Sequence, residues 1–118
     1  MNEADLKRTV EDYLTYKQNQ GALYFDRLNS GEAIVLKGDK HYKINLCREG
    51  TADFMVLMWT FPLGAPNKGW TRVIFLELKS KTGKQSEDQR TFQDAVEKQG
   101  ASYFIIRNLE ELEVLLSR

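Results

Sequence analysis

Two apolar runs, Ala52 to Trp59 (ADFMVLMW) and Trp70 to Lys79 (WTRVIFLELK), decide what this chain can become. Each is too short for a good helix and is bounded by turn-forming residues, so both read as strands in the middle of a sheet. Pro62, Gly64, Pro66, Asn67 and Gly69 mark the loop between them, which lets the second run return antiparallel to the first. The second run carries two charges where burial is expected. Glu77 and Lys79 are two residues apart and therefore share a face of the strand. A buried carboxylate or ammonium is costly unless it is paired or bound to a metal.

The flanking segments supply the rest of an α/β pattern. Asn2 caps a first helix running to about Gln18, with Leu6, Val10, Tyr13 and Leu14 as one apolar stripe. Leu23 to Leu28 is predicted as a strand, followed by an Asn29-Ser30-Gly31 turn. Ala33 to Leu36 and Tyr42 to Leu46 form a hairpin around Lys37-Gly38-Asp39-Lys40. Ser86 to Gln89 matches a capping box and opens a second helix with Phe92, Ala95 and Val96 inward. Gly100 stops that helix, and Ala101 to Arg107 is a further strand. Asn108 to Glu111 repeats the capping pattern and opens a last helix with Leu109, Leu112, Leu115 and Leu116 inward. The expected architecture is a mixed central sheet flanked by helices, in one domain spanning residues 1–118.

Bulk properties exclude several classes. The 17 basic and 17 acidic residues cancel, which argues against nucleic-acid binding by bulk positive charge. A local basic patch remains open: Lys79, Lys81 and Lys84 fall within six residues, a cluster that is also compatible with a solvated turn. No apolar run reaches the roughly 18 residues of a membrane helix. The polar MNEADLKR start lacks the apolar stretch of a secretory signal. Cys47 is the only cysteine, so no internal disulfide forms, in keeping with an intracellular protein.

Chemistry concentrates where the two central strands meet. Asp53 lies at the start of the first and Glu77 near the end of the second, so antiparallel pairing brings the two acids together. Adjacent carboxylates repel and resist ionisation unless a cation sits between them. Mg²⁺ takes oxygen ligands of this kind and, so held, activates water and neutralises charge on a phosphodiester. Lys79 would then orient the attacking water or stabilise the phosphate.

The ordered set of Gly50-Thr51-Ala52-Asp53, Glu77-Leu78-Lys79, Gly83-Lys84 leading to Gln89, Gly100-Ala101 with an apolar strand, and a Leu-rich terminal helix resembles the VRR-NUC domain of the PD-(D/E)XK nuclease superfamily. Glu3 with the Leu6 stripe is similar to the family's first helix, and Arg27 to Gly31 to its Asn-Ser-Gly turn. Ala52 stands where the superfamily's hallmark proline would be. The resemblance implies a restriction-endonuclease-like core and Mg²⁺- or Mn²⁺-dependent cleavage of DNA, with no organic cofactor. It implies Asp53, Glu77 and the Leu78 carbonyl as metal ligands, Lys79 as the catalytic lysine, a first-helix glutamate, and Gln89 near the site. Glu3 is the candidate glutamate because at about 100° per residue it falls inside the apolar stripe, whereas Glu11 lies off it. Lys81, Lys84, Arg90, Asn29 and Ser30 are candidate nucleic-acid contacts. A homodimer, junction resolution and a phage or mobile-element origin, acting in a bacterial cytoplasm, follow by resemblance alone.

Plainer readings stand beside these. Glu77 and Lys79 also fit a structural ion pair, Asp53 a turn residue, and Glu3 a first-turn acid on the helix dipole. Gln89 has a rival role as the capping partner of Ser86. His41 reads as an exposed hairpin residue, and Tyr24, Trp59 and Trp70 as core or hairpin packing. A non-catalytic DNA-binding module on the same fold, or a nuclease acting on RNA, carries the same residues.

Overall fold

The computed structural model describes residues 1–117. Helix α1 (Glu3–Asn19) is followed by strands β1 (Tyr24–Arg27), β2 (Glu32–Lys37), β3 (Lys40–Asn45) and β4 (Phe54–Thr60). Strand β5 (Trp70–Leu78), helix α2 (Glu87–Lys98), strand β6 (Ser102–Ile106) and helix α3 (Leu109–Leu115) complete the chain. The main sheet has the order β1-β4-β5-β6. Its first three strands are antiparallel and β6 is parallel to β5, joined to it through α2. This is the mixed α/β architecture expected, compatible with a restriction-endonuclease-like core.

Strand alternation sorts the sheet into two faces. Phe54, Val56 and Met58 of β4, with Ile74, Leu76 and Leu78 of β5, turn toward α1 and α3 and form one core with Leu6, Val10, Leu14, Ile106, Leu112 and Leu116. The opposite face carries Phe75 and Tyr103, which are paired across β5 and β6. Phe92 of α2 packs on both, edge-on to Phe75 at 5.1 Å between ring centroids. Helix α2 thus covers only part of its face. Phe92 and Val96 are half-buried, and Ala95 is exposed rather than inward. Tyr24, Trp59 and Trp70, read as core or hairpin packing, are each about half exposed, at 51%, 55% and 51%.

Local chemistry explains the boundaries. The Asp5 N–H donates to Asn2 Oδ1 at 2.8 Å and starts α1. Ser86 and Gln89 form a complete capping box on α2. At α3, Asn108 Oδ1 accepts from the Glu111 N–H, but Glu111 reaches back to the Arg107 N–H instead of the cap residue. Strand β4 begins at Phe54 rather than Ala52 because Asp53 bends the chain and uses its side chain in place of the ladder.

The hairpin of β2 and β3 forms a separate two-stranded sheet. It extends the molecule to 59 Å along its longest axis against 33 and 30 Å across. At its base the chain re-enters the body through Ser30, bridged to Cys47, and through the loop to Gly50.

Gly50 holds that re-entry. Its φ of 87° is open to glycine, and a Cβ there would collide with the Asp88 carbonyl in the first turn of α2. Gly50→Ala is therefore expected to cost at least about 2 kcal/mol in urea unfolding. Gly38→Ala is the control. It has positive φ but nothing within 4 Å, so it should cost less.

Candidate active site

The ladder between β4 and β5 pairs Phe54 with Leu76, so the next step of the register sets Asp53 opposite Glu77. Asp53 Oδ2 accepts the Leu78 N–H at 2.7 Å, and the Asp53 carbonyl accepts the Leu28 N–H at 2.8 Å. Its carboxylate is thereby fixed between the ends of β1 and β5. The preceding residues guide it there. Thr51 turns on the Arg48 carbonyl, and Ala52 is fully buried.

Glu77 is only 3% exposed, and its Oε1 has no hydrogen-bond partner. Burial raises its pKa most, the Asp53 carboxylate raises it further, and Lys79 and Lys7 lower it; the result is about 8. A carboxyl held in this state has a strong demand for positive charge. Lys79 follows on the same face, half-buried, and its backbone N–H continues the sheet to the Ile106 carbonyl. The stem of Lys79 lies beside Gly83, where a Cβ would sit at 3.4 Å from Lys79 Cδ, in ordinary contact.

The remaining predicted residues sort into two groups. Glu3 is half-exposed on α1 and does not join the two acids. Its carboxylate lies 3.9 Å from Lys7 Nζ, and Lys7 in turn lies 3.3 Å from Asp53 Oδ1. Among the described residues no three His, Cys, Asp or Glu side chains are grouped so as to hold one ion. Gln89 spends its Oε1 on the Ser86 N–H at 2.8 Å, so its carbonyl end is a helix cap. The structural contribution of Leu78 is its N–H to Asp53, and its side chain is fully buried in the core. Lys81, Lys84 and Arg90 are exposed on the loop and helix that follow β5. Asn29 and Ser30 are exposed at the base of the hairpin.

Several neighbours escaped the sequence reading. Lys7 was detectable as the i+4 partner of Glu3, but its reach to Asp53 was not. Gln85 Nε2 donates to Gln93 Oε1 at 2.8 Å and to the Tyr103 hydroxyl at 3.3 Å, tying the start of α2 to β6. Burial pushes the Tyr103 hydroxyl up to about 12, against the effect of the Gln85 hydrogen bond. Arg107 Nη1 donates to the Ser80 and Gly83 carbonyls at 2.7 and 2.8 Å and so fixes the lysine-bearing loop. No sequence period announces either arrangement.

The donor set suits a hard divalent cation: two converging carboxylates, one with an unpartnered buried oxygen, where the pairing of β4 and β5 ends. The chain matches no protein-family model and no curated protein.

Glu77 makes the stability of the metal-free protein depend on pH. The unfolded chain releases this proton near pH 4.5 and the folded chain near 8. Between those values the folded state holds the extra proton, so each rise in pH favours unfolding, and the loss is complete above about pH 8. The melting temperature measured in chelator should fall across this window. Glu77→Gln should flatten the fall and, near pH 8, raise stability by on the order of 1–3 kcal/mol. A structural ion pair would respond oppositely, with Glu77→Gln destabilising the fold.

Proposed function

We propose that this protein is a Mg²⁺- or Mn²⁺-dependent nuclease that hydrolyses phosphodiester bonds in DNA, acting inside the cell as a homodimer. The observation that carries the reading is the convergence of Asp53 and Glu77 with an unpartnered buried oxygen on Glu77 and Lys79 on the same face. Asp53, Glu77 and the Leu78 carbonyl would hold the cation. Once bound, the cation supplies an activated water and neutralises charge on the phosphate.

The chain's own residues divide the other work. The Leu78 N–H aims Asp53, leaving its second oxygen for a cation or for Lys7. Lys79 would orient the attacking water or hold the charge that grows on the phosphate oxygens. Lys7 joins Asp53 to Glu3 through one ammonium, which offsets part of the negative charge at the rim. Lys81, Lys84 and Arg90 are suited to flanking phosphates, each adding a modest, salt-sensitive contribution. A dimer would present two such sites to two strands, which suits branched DNA.

Lys79→Ala and Glu77→Ala are expected to lower Mn²⁺-dependent DNA cleavage by about a hundredfold or more while largely retaining DNA binding. The test compares cleavage of a four-way junction, duplex, flap, single strand and RNA under chelator and under Mn²⁺. Binding without cleavage of any of these by the wild-type protein would favour a non-catalytic module. Cleavage of RNA alone would move the substrate class, and equal or absent cutting of the junction would count against resolution.

A further inference from the structure

The oxygen that Asp53 leaves free for a cation already faces one. Its Oδ2 is spent on the Leu78 N–H at 2.7 Å. The other oxygen, Oδ1, lies 3.3 Å from the Lys7 ammonium. The contact is sheltered, with the Asp53 side chain 18% and the Lys7 side chain 32% exposed, so it is screened less than a surface pair. The same ammonium lies 3.9 Å from Glu3 Oε1, one helical turn back on α1. Among the described residues neither acid pairs with any other base. Both distances exceed the about 2.7–2.9 Å of a charge-assisted hydrogen bond, so Lys7 is shared between the two acids and locked to neither. It also has room to move, since it lines a cleft of about 540 Å³ with Glu3, Ala4, Arg8, Glu11 and Arg27. The two arginines there are turned to other acids, Arg8 to Asp5 and Arg27 to Glu11.

We propose that Lys7 is a built-in competitor for the divalent cation: it holds Asp53 Oδ1 in the metal-free protein and shifts to Glu3 when the cation loads. This rests on the reading of Asp53 and Glu77 as metal ligands and adds to it a control on loading. Charge decides the direction of the exchange. A monovalent ion brings Asp53 the same charge as Lys7 but lacks its tether to α1, so it gains nothing by replacing it. A divalent ion brings twice the charge to two acids together and displaces the ammonium. Glu3 then supplies the counter-charge, at the spacing and in the order that suit an acid and a base on one helix. Glu3 thus serves metal binding through Lys7, without touching the ion. The site loses affinity by this arrangement. If Lys7 covers Asp53 for about nine-tenths of the time, apparent affinity falls about tenfold.

Mn²⁺ binding to the full chain tests this, read as loss of the free-ion electron paramagnetic resonance signal, with Asp53→Asn as the blank. Circular dichroism melts check that each variant folds. Lys7→Met keeps the stem and removes the charge, and is expected to bind Mn²⁺ about tenfold more tightly than wild type. A proton on Glu77 gains from the same loss of charge, but it carries half the charge of the cation, so the sign stands. Lys7→Gln, which keeps a polar end, should bind more tightly in the same way. Glu3→Gln should weaken binding by about three- to fivefold in the wild type and by less than about twofold in Lys7→Met, where no ammonium remains to be drawn away. Lys7 variants that bind no more tightly than wild type would overturn the proposal and leave the metal site standing. So would a Glu3→Gln loss of equal size in both backgrounds, the result expected of a direct ligand. No Mn²⁺ binding above the blank by wild type or by the Lys7 variants would overturn the metal reading itself, and this role with it.

Discussion

One hydrogen bond sets the geometry of the end of the sheet that carries the two acids. The ladder between β4 and β5 runs out at Phe54 and Leu76, and the next donor, the Leu78 N–H, is taken by the carboxylate of Asp53. A side chain has replaced a backbone acceptor. The exchange is favourable in itself, since a hydrogen bond to a charged group contributes about 1.5–3 kcal/mol. It also draws a negative charge into the sheet next to Glu77, whose proton is held first by burial and then by that neighbouring carboxylate. The tension between the acids is thus imposed by the sheet, and relaxing one carboxylate means giving up a strand-terminal hydrogen bond.

The body of the fold resists that relaxation. Asp53 is followed by Phe54 and preceded by Ala52, both fully buried, so the chain on either side of it is anchored. Glu77 lies between Leu76 and Leu78, also fully buried and facing the opposite layer. Apolar residues on one face therefore hold polar residues on the other. The large side of the core, with α1 and α3, serves as the footing, and α2 covers the opposite face only in part.

How much of this the sequence disclosed depended on the range of the interaction. The meeting of Asp53 and Glu77 was legible because two hydrophobic runs and one turn-rich loop admit only one simple pairing, and strand alternation does the rest. The role of Glu3 was argued from helical periodicity, which assigns a face but not a reach. The carboxylate stops at Lys7, and Lys7 is the residue that continues to Asp53. Gln89 had two physically sound roles, and the local one took its oxygen, because a cap three residues away costs little chain entropy to form. Ala95 and the exposed aromatics were misplaced for a related reason. An apolar stripe shows what a helix can bury, and the area of sheet left bare is decided by where the helix lands.

Arg107 adds a different kind of order. It sits just after β6, near the end of the chain, and its guanidinium grips the carbonyls of a loop 24–27 residues earlier. The loop's cations, Lys81 and Lys84, therefore project from a backbone that was immobilised when the protein folded. On the proposed nuclease reading, a phosphate arriving there would need to restrict only the lysine side chains. Much of the disorder that a free loop would surrender on binding has already been surrendered, so on that reading affinity at this rim would be set more by charge than by conformational search.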